Sequence, residues 1–223
     1  MKPFETYLEE GVHDPGIFKV VFTAGGPGSG KSFIAGRAGL GKFSAFGLKT
    51  VNSDNIFEKL LKDAKMEPLP QQIFSPKGQE IRGHAKELTQ KRQKGWLQGR
   101  LGMVVDGTGK DYKKIKQMSD ALRSIGYASY MLFVNTSLDV AQQRNMMRAR
   151  KLDSKEVEEM WKAVQQNMGK FQQYFGRQNF ILVDNNSPSQ DVLSDLFVQM
   201  EKLIKEPVTH RAALAWMKAE LPS

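Results

Sequence analysis

Apolar residues in this chain fall into short continuous runs, separated by longer stretches where they recur every third or fourth position. The runs at 18–24, 48–52, 101–106, 128–134 and 180–183 read as strands. Their near-continuous hydrophobicity suits strands covered on both faces. The stretches between them read as helices. Residues 54–64 place Ile56, Phe57, Leu60, Leu61 and Ala64 on one stripe. Residues 79–98 form a basic helix ending near Gly99, and 111–125 form another that Gly126 stops. A helix over 138–150 is rich in arginine. The next starts at a Ser154 cap and runs to about Phe175. Val157 occupies its third position, so the reciprocal capping box is missing, but Glu156, Glu158 and Glu159 suit a first turn. The last long helix, 189–205, carries Val192, Leu193, Leu196, Phe197, Met200, Leu203 and Ile204 inward until Pro207 breaks it.

Strand and helix thus alternate, which predicts an α/β fold: a mostly parallel five-stranded sheet with helices on both faces. Residues 66–78 hold Pro68, Pro70, Pro76 and Gly78 and read as a loop, so 66–99 is expected to be an insertion. Residues 1–206 then form one domain, and 207–223 a helical tail with an amphipathic segment at 211–221. No apolar run approaches the ~18 residues a membrane span needs, and 1–14 has no apolar signal core. The chain has no cysteine, which excludes disulfides and thiolate metal sites and fits a reducing, cytoplasmic setting. His13, His84 and His210 lack ligand spacing and read as surface or packing residues.

Candidate chemistry begins at the end of the first strand. Gly25-Gly26-Pro27-Gly28-Ser29-Gly30-Lys31-Ser32 matches G-x-x-x-x-G-K-[ST] at every fixed position. Strand precedes it, and Phe33-Ile34-Ala35 continues it as a helix, the context a phosphate-binding loop (P-loop) requires. Its backbone N–H groups form a concave anion site, and the helix N-terminus adds positive potential. Lys31 is expected against the β- and γ-phosphates, and Ser32 on Mg²⁺.

The next two strands also end in polar residues, Asn52-Ser53-Asp54 and Asp106-Gly107-Thr108-Gly109. Ligands in such sheets bind beyond the carboxyl ends of the strands. Asp54 is a candidate general base toward an attacking hydroxyl, and also a candidate helix cap, as is Ser53. Asp106 follows Met103-Val104-Val105 as a Walker B acid does, a candidate for Mg²⁺, with a salt bridge to Arg82 as the alternative. Thr108 suits either a substrate hydrogen bond or the cap of the helix near Asp111. Arg144 and Arg148 share one helix face just after the fourth strand, and read as an Arg-rich lid that gathers phosphoryl charge.

A net charge of +9 makes a polyanionic partner such as nucleic acid attractive, although a nucleotide alone also calls for several cations. Lys86, Lys91, Arg92, Lys94 and Arg100 surround Trp96, which serves equally as a base-stacking platform or as core. Lys110, Lys113, Lys114 and Lys116 read as a solvated helix face.

The order of these elements, with Arg144-Asn145 before the lid, resembles the kinase domain of bacteriophage 5′-hydroxyl polynucleotide kinases and the related zeta-toxin-like P-loop kinases. The likeness spans about residues 20–184. It implies a P-loop NTPase fold that uses ATP and Mg²⁺. The family's general base falls on Asp54, its paired Asp and Thr on Asp106 and Thr108, and its phosphate-contacting Arg on Arg144. The implied reaction carries the γ-phosphate to a nucleic-acid 5′-hydroxyl. The zeta-toxin branch implies a small acceptor such as a nucleotide sugar, and an ATP-binding module with little turnover is a third expectation. The family often has an Arg soon after its base, whereas Asn55-Ile56-Phe57 stands here. The C-terminal part resembles neither a phosphatase nor a ligase domain.

Overall fold

In the computed structural model, residues 11–31, 34, 46–147, 151–187 and 190–221 are described. Five strands alternate with eight helices among those residues: β1 (Lys19–Ala24), β2 (Lys49–Val51), α1 (Asp54–Asp63), α2 (Pro70–Ile73), α3 (Pro76–Gln98), β3 (Met103–Val105), α4 (Tyr112–Ser124), β4 (Ala128–Asn135), α5 (Leu138–Met146), α6 (Ser154–Phe175), β5 (Phe180–Asp184), α7 (Gln190–Lys205) and α8 (Arg211–Glu220). The strands pair in the order β2-β3-β1-β4-β5, and every pairing is parallel.

The two-residue period of a strand divides the core between the faces. Val20, Phe22 and Ala24 of β1 join Met131 and Phe133 of β4 on one face, under Val164, Phe171 and Phe175 of α6 and Leu122 of α4. Val21 joins Tyr130, Leu132 and Val134 on the other, under Ile34 and α7 residues Leu196, Met200, Leu203 and Ile204. Helices therefore cover both sides of the sheet. Because β1 lies between β3 and β4, successive connections leave in opposite directions beside it. A crevice consequently opens at the carboxyl ends of β1 and β3.

Several boundaries differ from the sequence reading. The expected loop at 66–78 contains the short helix α2, and α3 begins at Pro76 rather than Gln79. Pro76 holds the first helical position, where its missing N–H costs nothing, and Ser75 accepts from Gly78 N–H at 3.1 Å. The Pro-Gly signal read as loop is thus the start of a helix. A third, smaller core forms where α1 meets this insertion, from Phe57, Leu61, Ile73 and Ala85. The helix expected over 138–150 ends at Met146. Asp153, not Ser154, caps α6, accepting from Lys155 N–H at 2.9 Å. The tail after Pro207 packs on the domain: Ala213 is fully buried, and Trp216 sets an edge against Phe18 at 5.6 Å. Among the described residues, no helix is long and apolar enough to cross a membrane.

Candidate active site

The sequence places a loop after β1 because glycine is needed there. Gly28 and Gly30 have φ of +73° and +79°, a region that side chains strain to enter. The loop is held from several sides. Gly25 N–H donates to the Thr108 carbonyl at 2.9 Å, which ties the loop's start to the strand end beyond β3. Ser29 N–H closes a turn onto the Gly26 carbonyl at 3.1 Å, and Ile34 N–H reaches the Gly30 carbonyl at 2.9 Å. Ser32, the expected Mg²⁺ ligand, and Arg148 of the expected lid lie outside the described residues, as do Phe33 and Ala35.

Asp106 is the hub of the crevice. Lys31 Nζ forms an ion pair with its Oδ1. Thr23 Oγ1 donates to the same oxygen at 2.7 Å, and Asn52 Nδ2 donates to Oδ2 at 2.8 Å. One carboxylate thereby ties together the ends of β1, β2 and β3 and the loop lysine. The alternative partner, Arg82, instead lies over the Phe57 ring, 4.5 Å from its centroid. Thr23 and Asn52 were not among the sequence candidates. Asn52 follows an apolar run, the signal that singled out Asp54 and Asp106, whereas Thr23 lies within β1, one residue before its end.

Asp54 opens α1 and is exposed at the crevice. It is not the cap. Ser53 occupies that position with no side-chain bond, and Asn52 Oδ1 accepts from Asp54 N–H at 2.7 Å instead. Asn52 rather than Asp54 thus supplies the side-chain hydrogen bond at the start of α1, and Asp54 lines the cleft. Thr108 is not a cap either, since Asp111 caps α4 by accepting from Lys114 N–H at 3.0 Å.

Lys31, Asp54 and Asp106 line one cleft of about 630 Å³. Its floor carries Phe22, Val51, Val105, Ile115 and Met118, and its rim carries Lys86, Lys110 and Lys114. Lys110 and Lys114, expected on a solvated face, are exposed yet border this cleft. Trp96 packs against the main core rather than offering a platform.

Arg144 lies on the other side of the loop. It donates to the carbonyls of Gly28 at 3.3 Å, Asn185 at 2.7 Å and Asn186 at 3.3 Å. The neighbouring Asn145 is buried and bonds Leu152 twice, through Nδ2 to its carbonyl at 2.8 Å and from its N–H to Oδ1 at 3.1 Å. It thereby fastens the two ends of the connection between α5 and α6. Among the described residues, no group of three or more His, Asp or Glu side chains is arranged to hold a metal.

A family model described as an AAA domain matches residues 20–171, well over half of the chain, and the chain belongs to this family. No curated protein matches the sequence. Among solved structures, AvrRxo1-ORF1:-ORF2 with ATP is 16% identical, with a TM-score of 0.54 over 80% of this chain and 61% of that one. A candidate kinase from Chloroflexus aurantiacus J-10-fl is 12% identical, with a TM-score of 0.53 over 84% of this chain and 96% of that one. A chain of the Pnkp1/Rnl/Hen1 RNA repair complex is 15% identical at a TM-score of 0.49. The match covers 70% of this chain and only 46% of that one. At such identities the likeness is one of fold: a five-stranded parallel sheet flanked by helices, as in P-loop kinases.

Proposed function

We propose that this protein is a phosphotransferase that moves the γ-phosphate of ATP to a hydroxyl, with a nucleic-acid 5′-hydroxyl end as the acceptor. The observation that carries the reading is the convergence of Lys31, Asp54 and Asp106 on one cleft at the carboxyl ends of β1, β2 and β3. The loop's positive-φ glycines at 25, 28 and 30 pack against Ser29, Ala141 and Asn185, where a Cβ would clash, so glycine keeps the loop in this conformation, which suits a triphosphate. AvrRxo1, a protein of similar fold, was solved with ATP. Mg²⁺ suits the donor set too: such sites use few protein oxygens and keep several waters. Ser32 would hold the ion, with Asp106 acting through water. Bound there, the ion neutralises charge on the phosphate oxygens.

The chain's own residues then divide the work. Loop amides and Lys31 hold the β- and γ-phosphates in line with the acceptor. The acceptor oxygen bonds to the γ-phosphorus as the bond to the β,γ-bridging oxygen breaks, and ADP leaves with that electron pair. The hydroxyl proton passes to the Asp54 carboxylate. Arg144, together with Arg148, adds positive charge beside the phosphates. Lys86, Lys110 and Lys114 at the rim favour an acceptor that carries phosphates near its hydroxyl. A cleft of this size also suits a small phosphorylated acceptor such as a nucleotide sugar, which is the second reading.

The test is transfer of label from γ-labelled ATP to oligonucleotides with 5′-hydroxyl ends, with 5′-phosphorylated oligonucleotides as controls. Label on the hydroxyl ends alone is expected. Label on a nucleotide sugar but on no oligonucleotide would move the assignment to the second reading, and label on neither would remove both.

A further inference from the structure

We propose that Asn185 is a positioning residue for the phosphate-binding loop. With Arg144, it holds the carbonyls of Gly28 and Ser29 turned away from the anion site. The inference rests on the reading of that loop as the seat of ATP's phosphates.

Asn185 follows directly on β5, and its N–H extends the sheet by donating to the Asn135 carbonyl at 2.9 Å. Its side chain is buried, with the residue 2% exposed, and Nδ2 donates to the Ser29 carbonyl at 2.7 Å. Arg144 approaches from α5 and donates to the Gly28 carbonyl at 3.3 Å while gripping the Asn185 carbonyl at 2.7 Å. The Arg144 side chain thus holds the Asn185 backbone, and the two side chains together hold two successive peptides of the loop. Among the described residues, they are the side chains that donate to the loop's carbonyls.

Peptide geometry gives this grip a consequence. In a trans peptide the C=O and the following N–H point in opposite directions. The N–H of the first held peptide, that of Ser29, is already tied to Gly26. The second held peptide directs its N–H, that of Gly30, away from Asn185 and Arg144. Its near side is filled: a Cβ added to Gly30 would lie 2.1 Å from Asn185 Nδ2. The anion therefore meets the Gly30 N–H on the far side. If the peptide turned over, a carbonyl dipole would replace that donor, and a negative phosphate would be repelled. Fixing such dipoles in advance removes the cost of ordering them when the phosphate arrives.

The reading needs an N–H or O–H at this position, which a charge-bearing near-isostere tests. Asn185→Asp keeps the shape but as a carboxylate has no donor and sets negative charge against the Ser29 carbonyl. ATP affinity is measured by equilibrium titration of the full chain at about pH 8, as the ratio to wild type. Asn185→Asp and Asn185→Ala, which lacks any donor, are each expected to bind ATP ~10-fold more weakly. Equal affinity for wild type and both variants overturns the inference. If Asn185→Asp does not fold, Asn185→Ala decides alone: it must weaken ATP binding ~10-fold while kcat at saturating ATP stays within ~2-fold. Wild type that binds no ATP overturns the nucleotide reading and this inference with it. Wild type that binds ATP beside unaffected variants overturns this inference alone.

Discussion

Lys31 and Asp106 form an ion pair across the ends of β1 and β3. Their side chains are only 14% and 19% exposed, and Thr23 and Asn52 complete the carboxylate's coordination. The pair sits where the switch in strand order opens the crevice, so the lysine that would meet a phosphate is already steered there by an acid of the neighbouring strand. A partly buried charge is held this way only if its partner is also held.

Removing one member should therefore affect folding as well as chemistry. Lys31→Met is expected to lower kcat by ~10²–10³ and to destabilise the fold by about 1–2 kcal/mol, because Asp106 keeps its charge but loses its cation. The double variant Lys31→Met/Asp106→Asn should regain part of that stability without regaining activity. Chemical denaturation of the four members of the cycle checks this; purely additive stability losses would contradict the coupling.

Gly28 has no room for a methyl group. An added Cβ would lie 2.4 Å from the Ala141 carbonyl oxygen of α5, at a φ that alanine avoids. Gly28→Ala must push α5 away or reshape the loop, which would also break the contact from Arg144 to the Gly28 carbonyl. ATP affinity is expected to drop by at least ~10-fold, with a lowered melting temperature. Wild-type affinity in a titration with this variant would show that the loop conformation is not needed for binding.

The rim lysines give a prediction about salt. If Lys114 meets a phosphate of a single-stranded acceptor, Lys114→Ala should reduce the slope of log affinity against log salt by about 0.7, with ATP affinity unchanged. Acceptor titrations at several salt concentrations measure the slope. An unaltered slope places the acceptor's phosphates elsewhere.

One ion pair away from the site carries a pH signature. Lys116 Nζ and Tyr174 Oη each donate to Asp120 at 2.6 Å. Lys116 first, then Tyr174, hold the Asp120 carboxyl below its usual range. A carboxyl with a depressed folded pKa contributes stability that is full above the unfolded value and is lost as pH falls through the folded value. Asp120→Asn should therefore be less stable than wild type by an unchanging margin from pH 7 to about 5. The margin should close as pH drops below 3.8, the ordinary value for the group. Thermal melts across that range measure it, and a margin that does not shrink as pH falls below 3.8 would contradict the pairing.

The strands were legible because most are short, largely apolar runs followed by polar residues, and those ends also marked the loop, Asp54 and Asp106. Helix starts were less legible, because Pro76 and Gly78 signal a loop as strongly as they signal a first turn after Ser75. Trp96 carries no local mark of whether it faces solvent or core, and packing onto α3's neighbours decided it. Asn185 follows β5 as Asn52 follows β2, but its meaning comes from Ser29, far away in the chain and 2.7 Å from its Nδ2 in space, a partner that only the fold supplies. Asn52 was accessible to the reasoning that found Asp106, since both follow strands, whereas Thr23 lies inside β1.

The central claim is that Asp54, exposed in the cleft that Lys31 and Asp106 also line and free of any capping duty, takes the acceptor's proton. Single-turnover phosphotransfer by Asp54→Asn, measured alongside its ATP dissociation constant, tests this most directly. The account predicts a rate lowered by ~10²–10⁴ with ATP affinity within ~2-fold of wild type. A rate equal to wild type in that variant would contradict it.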